Sequence, residues 1–341
     1  MLYYKLREPF NNAAMAIVSN KINWPLLGAI RFFLAFIVLT EHLGWFISSP
    51  DVMLKFSKFS PMVAVLGFLL ISGYSIAASF EAKQKGFYFR RALRIIPIYV
   101  LSIVFATLVE LYSPEKPLID NIYIANTNIN ILLGNLFFMQ GILVHSLESN
   151  PIVWTLSIEI FFYIITPLLV AKNKYFIYFI LASALLFSSQ RYIGFYYFSQ
   201  MMYGLNIAFL GWAWLIGFWY YHNRNNMSAI FFVSSLGILT ITINGFFTTA
   251  FWTITWIITC AAVGYGHLFK TPFSQFLKIL GDVSYPMYLL HIPIFASLKN
   301  FHSIEYGFFY FIIAVTLCLF VDAFIDKPMK WVLKKSALKF S

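Results

Sequence analysis

The stretch Leu26–Ile47, LLGAIRFFLAFIVLTEHLGWFI, is long and apolar enough to form a membrane-spanning helix, yet Arg31, Glu41 and His42 interrupt it. Arg31 and His42 stand eleven residues apart. At about 100° per residue this is roughly three full turns plus 20°, so both side chains leave the same helix face. The rise between them is about 16 Å, which puts one near each side of a bilayer. A charged side chain in a span costs roughly 2.5–3.5 kcal/mol on insertion scales, so these residues are functional candidates by default. The alternative is that Arg31 snorkels to one surface and that His42 is an interfacial residue beside Trp45.

The rest of the chain has the same character. Of 341 residues, 60% are hydrophobic, 20% aromatic and only 11% charged, against about 25% charged in water-soluble domains. Repeated apolar runs predict an all-α integral membrane protein built as one polytopic bundle, with membrane lipids as its immediate partners. No internal repeat is apparent, which disfavours the repeat-built transporter folds. The net charge of +11 comes from Lys and Arg in short loops between spans, so it does not imply nucleic-acid binding. Cys260 and Cys318 are the only cysteines and both lie in apolar runs; neither a disulfide framework nor a metal site is implied. The first 25 residues are mixed polar and hold Lys5, Arg7 and Lys21. No cleavable signal peptide is expected there, and the first span serves as its own membrane-targeting signal.

The apolar runs fall at about 26–47, 61–80, 93–112, 152–171, 175–190, 203–221, 228–246, 248–268, 284–301 and 306–325. A further run at 131–145 is too short for a comfortable crossing and is expected as a re-entrant or external segment. With that run not crossing, one side collects Lys5, Arg7, Lys21, Lys83, Lys85, Arg90, Arg91, Arg94, Lys172, Lys174, Arg224, Lys270, Lys278 and the lysines after Asp326. The other side keeps Lys55, Lys58, Lys116, Arg191 and Lys299. The positive-inside rule then predicts about ten transmembrane helices with both termini cytoplasmic.

This orientation assigns depths. His42 lies about a turn from the outer end of its helix, and Glu159, in WTLSIEIFFYIITPLL, about two turns below the outer surface. A histidine and a carboxylate at one depth make a plausible acid–base pair; the alternative is a structural carboxylate bonded to a neighbouring Trp, Tyr or Arg. Ser72-Gly73-Tyr74 in the second span admits either a thin ligand or a close helix neighbour. In FYFRRALRIIPIY, Arg90 and Arg94 share a face at i, i+4. Paired arginines suit phosphate, although ordinary positive-inside anchoring accounts for a lone cluster. The external segment 113–150 offers Asn135, Gln140 and His145 as residues to line an acceptor site or cover the outer mouth. Ser284, Tyr285, Tyr288 and His291 open the ninth span, with Tyr288 and His291 on one face and His291 near mid-membrane. Asp322 and Asp326 are expected to pair with nearby lysines.

Five stretches together resemble the acyltransferase-3 family of membrane-embedded enzymes that move acyl groups onto sugars and other acceptors. They are Arg31 with ten residues before His42; Ser72-Gly73-Tyr74; Arg90-Arg91-x-x-Arg94-x-x-Pro97; Trp154-Thr155-Leu156-Ser157-x-Glu159; and Ser284-Tyr285-x-x-Tyr288-Leu289-x-His291. Tyr74 stands where the family usually has Phe, and Thr155 where it usually has Ser. The resemblance implies a single acyltransferase domain over 1–341 with its core at about 20–330, in the stand-alone form without a fused hydrolase-like domain. It implies an acyl-CoA donor, foremost acetyl-CoA, held by Arg31, Ser72, Gly73, Arg90, Arg91 and Arg94, with no metal. His42 becomes general base or acyl relay, oriented by Glu159, and Trp154, Tyr288 and His291 meet the substrate. The implied acceptor is a hydroxyl of a surface polysaccharide or its lipid-linked precursor, reached from the cytoplasmic (inner) membrane; a homo-oligomer is compatible with all of this. A secondary transporter or glycan exporter with proton-coupling Arg, Glu and His is the rival reading.

Overall fold

The computed structural model describes residues 22–47, 51–112, 128–171, 175–194, 197–301 and 306–339; the basic residues Lys5, Arg7, Lys21, Lys116, Lys172 and Lys174 used for orientation lie outside them. The described residues are predominantly helical, with no strand. In chain order the helices are α1 Trp24–Leu43, α2 Pro61–Ala82, α3 Phe87–Tyr112, α4 Ile129–Leu136, α5 Trp154–Ala171, α6 Phe176–Ile193 and α7 Leu205–Asn223. They continue as α8 Met227–Asn244, α9 Trp252–Tyr265, α10 Ser274–Phe301, α11 Gly307–Val321 and α12 Lys327–Lys339. Each of the ten predicted spans is a helix. Among the described residues eight helices are long and apolar enough to cross a membrane. The protein is an all-α polytopic membrane protein.

The two remaining predicted spans fall short for different reasons. In α7, Trp, Tyr and His lower the hydropathy, and Trp212 and Trp214 are fully buried, so this helix is solvated by protein rather than lipid. Helix α9 has only 14 residues, about 21 Å of rise. Its ends nevertheless reach opposite ends of the bundle. The Phe251 amide at its start donates to the Lys58 carbonyl, while Gly266 at its end accepts from Asn23 at the start of α1.

Asn23 also begins α1 itself. Its Oδ1 accepts from the Leu26 amide at 3.1 Å, filling one orphan N–H of the first turn, and Pro25 sits where its missing N–H does no harm. The most intimate partner of α1 is α10. A methyl group added to Gly281 would lie 2.8 Å from the Gly28 Cα, so the two backbones touch there. At the other end of the same pair, His42 meets His291. The two helices therefore run side by side in one direction. Parallel running requires an odd number of crossings between α1 and α10, which the seven of α2, α3 and α5 to α9 supply when the 131–145 region does not cross.

That region is a short helix, α4, followed by a tight loop. Asn135, fully buried, holds it: its Nδ2 donates to the Ile131 and His145 carbonyls at 2.8 Å and its Oδ1 accepts from Leu147 N. Gln140 likewise donates to the Val153 carbonyl at 2.8 Å. Asn135 is thus spent on backbone, not free to line an acceptor site, while Gln140 commits only its Nε2 to backbone. The loop ends on Asn150, whose Nδ2 donates to the Leu289 carbonyl at 2.9 Å. Pro293 lies four residues on and has no N–H to offer that carbonyl. Asn150 replaces the missing donor and hooks the start of α5 beside mid-α10. Asn150→Ala is expected to destabilise the protein by about 1–3 kcal/mol, the cost of an unsatisfied buried carbonyl, read as a lowered thermal midpoint in detergent.

Candidate functional site

Helices α1, α2, α3, α5 and α10 line a partly open cavity of about 770 Å³, counting the space at its open mouth. Its lining is arranged in layers one helical turn apart. At one end, Arg91 and Arg94 of α3 reach it from the side, with Arg91 Nη2 donating to Ser79 Oγ at 2.5 Å. Arg31 follows, donating to Ser75 Oγ at 2.6 Å. Glu159 accepts from the Tyr163 hydroxyl at 3.0 Å, which leaves Ser72 as donor to the Tyr163 oxygen at 3.3 Å. At the far end Tyr288 closes the cavity. Its hydroxyl is paired with Thr155 Oγ1 at 3.1 Å, and its ring packs against Phe68 with centroids 5.3 Å apart. Val65, Leu69 and Leu156 complete an apolar wall.

Beyond Tyr288 stand the histidines. His42 Nδ1 lies 2.8 Å from His291 Nε2, and His291 Nδ1 lies 2.9 Å from the Met287 carbonyl. The rings are nearly parallel, 14° apart. His291 is fully buried and His42 half-buried, with Trp45 packed on it at 4.3 Å between centroids.

Three guanidinium groups therefore share the cavity with a single carboxylate, Glu159, which lies within electrostatic reach of Arg31 and Arg91. Arg91 Nε is buried without a hydrogen-bond partner among the described residues. A polar, cationic mouth leading into an apolar passage fits a long ligand with an anionic head and a thin tail.

The structure brings together Arg31, Ser72, Arg91, Arg94, Glu159 and Tyr288, and separately His42 with His291. Several expectations are corrected. Glu159 does not pair with His42; it sits at the depth of Arg31, because Asn150 starts α5 beside Leu289 and nine residues of descent follow. Arg90 is half-buried, lies outside the cavity lining and spends its guanidinium on the carbonyls of Lys85, at 2.7 Å, and Lys83, so the arginines of α3 that line the cavity are Arg91 and Arg94. Gly73 faces α7 rather than the cavity: a Cβ there would stand 2.0 Å from the Trp214 carbonyl oxygen. Trp154 is buried in a stack on Phe198, centroids 6.0 Å apart, and is not among the cavity-lining residues. Ser75, Ser79 and Tyr163 escaped the sequence reading. Their signal was present, since Ser72, Ser75 and Ser79 follow i, i+3, i+7 on one face of α2, and Tyr163 lies one turn after Glu159.

Residues 25–323 match a family model described as an acyltransferase domain. The chain belongs to the acyltransferase-3 family. No curated protein and no solved structure is significantly similar to it. Membership in an acyltransferase family sets this integral membrane protein among the enzymes rather than the secondary transporters, with an acyl donor as one of its substrates.

Proposed function

We propose that this acyltransferase takes an acyl group, foremost acetyl, from acyl-CoA and places it on a hydroxyl of an extracytoplasmic glycan or its lipid-linked precursor. The observation that carries the reading is the cavity with Arg31, Arg91 and Arg94 at one end and an apolar passage toward the histidines at the other. Multiply charged phosphates suit the arginine mouth, Arg91 Nε supplying an uncommitted donor. The slender thioester arm runs past Ser72, Leu69 and Phe68 to Tyr288, whose side chain swings away from Thr155 to let the thioester meet His42. The distribution of Lys and Arg supports an orientation with the arginine mouth toward the cytoplasm and the histidines toward the outer face of the inner membrane.

The reaction uses His42 as general base. The acceptor oxygen attacks the thioester carbonyl carbon as the His42 imidazole takes the hydroxyl proton. The carbon–sulfur bond breaks, CoA leaves as thiolate, and the proton returns to sulfur, giving ester and free CoA. In this reading Glu159 orients Tyr163 and tempers the charge of the arginines.

Radiolabelled acetyl-CoA supplied on the cytoplasmic side of membrane vesicles tests this proposal. Label is expected in extracted surface glycan when the intact protein is present. No label and no donor consumption across several acyl-CoAs would overturn it. Arg91→Ala and Arg94→Ala are each expected to raise the KM for the donor roughly 10- to 100-fold, the loss of one charge-assisted contact. Arg90→Ala, a change outside the cavity lining, is expected to leave it within about twofold.

A further inference from the structure

We infer that His291 is a positioning residue that holds His42 in the one tautomer able to act as a base; the inference rests on the role proposed for His42. The bonds assign every proton. The Met287 carbonyl only accepts, so the hydrogen of this contact is on His291 Nδ1. A neutral His291 then presents a bare Nε2, which accepts across the 2.8 Å contact. His42 Nδ1 must therefore carry its own hydrogen, and the lone pair of a neutral His42 is on Nε2. Were His291 protonated, both its nitrogens would donate. His42 Nδ1 would then turn acceptor and Nε2 would carry the hydrogen, useless for taking a proton.

The carbonyl is thus the fixed end of a chain from backbone through one imidazole to the other. It does for His42 what a carboxylate does for the histidine of a Ser-His-Asp triad, namely fix the tautomer and the ring orientation. Full burial of His291 suits the neutral form. When His42 takes the substrate proton, its Nδ1–H···Nε2 bond becomes charge-assisted and strengthens.

The test compares His291→Phe, which keeps a ring but removes the acceptor, with His291→Gln, which keeps an acceptor oxygen. Release of free CoA from acetyl-CoA is measured in vesicles containing extracted glycan, beside the wild type and His42→Ala. The Phe variant is expected to lose about 10²-fold in kcat, with donor KM within about twofold because the arginine mouth is untouched. The Gln variant is expected to recover at least a tenth of wild-type kcat. A Phe variant with near-wild-type kcat would overturn the inference, as would a Gln variant no better than Phe. If His42→Ala is itself active, the reading of His42 fails instead, and this inference with it.

Discussion

His42→Ala is expected to lower acyl transfer by about 10²–10⁴-fold, the usual contribution of a positioned general base, while the KM for the acyl donor stays near the wild-type value. The separation follows from the layout. Arg31 of the arginine mouth and His42 leave the same face of α1 but about 16 Å apart, with the Tyr288–Thr155 pair and the Phe68 ring between them. Removing the imidazole leaves every side chain of the cavity in place. A loss of kcat with unchanged donor binding is the signature of a group used only in the chemical step. Initial rates and donor saturation on protein of equal expression decide it. Activity within tenfold of wild type would remove His42 from the chemistry, and a rise in donor KM alone would make it a binding residue.

The second large effect concerns folding. Gly73→Ala is expected to destabilise the bundle by on the order of 3 kcal/mol, the upper end of overpacking penalties, and Gly73→Leu to prevent folding. The neighbour a Cβ would meet is the Trp214 carbonyl oxygen at 2.0 Å, backbone rather than a movable side chain. The contact is reciprocal, since a Cβ on Gly217 would stand 2.1 Å from the Leu70 carbonyl oxygen. Helices α2 and α7 therefore approach as closely as glycine permits. Cys260 and Cys318 are both buried, so a thiol-reactive dye reports unfolding directly. A Gly73→Ala midpoint within a degree of wild type would show the contact to be loose. Ser72→Ala, one residue away but facing the cavity, should leave that midpoint unchanged.

These residues also show what a sequence reveals. The ten predicted spans are legible because lipid imposes a length and a polarity on each of them. Arg31 and His42 are legible because helical periodicity fixes their common face. Depth is not. Glu159 is counted from the start of α5, and nothing local says that Asn150 will be drawn to a carbonyl exposed by Pro293 on a helix 139 residues further on. The choice between Arg90 and Arg91 fails for a similar reason: either could turn inward until α3 is rotated against its neighbours. His291 is visible as a mid-membrane histidine, yet its partner depends on α1 and α10 running in parallel. Gly28 and Gly281 are the trace of that pairing in the sequence, each unremarkable alone.

The glycine contact has a mechanical consequence. With Gly28 held against Gly281, α1 and α10 share a pivot at one end and carry the two imidazoles at the other. From Gly28 to His42 is 14 residues, a lever of about 21 Å. Splaying the helices by only about 3° moves the rings about 1 Å apart over that lever. From a starting separation of 2.8 Å, this takes the imidazoles out of hydrogen-bonding range. The contact between the two imidazoles is thereby set by the crossing angle of two helices fastened together near their other end.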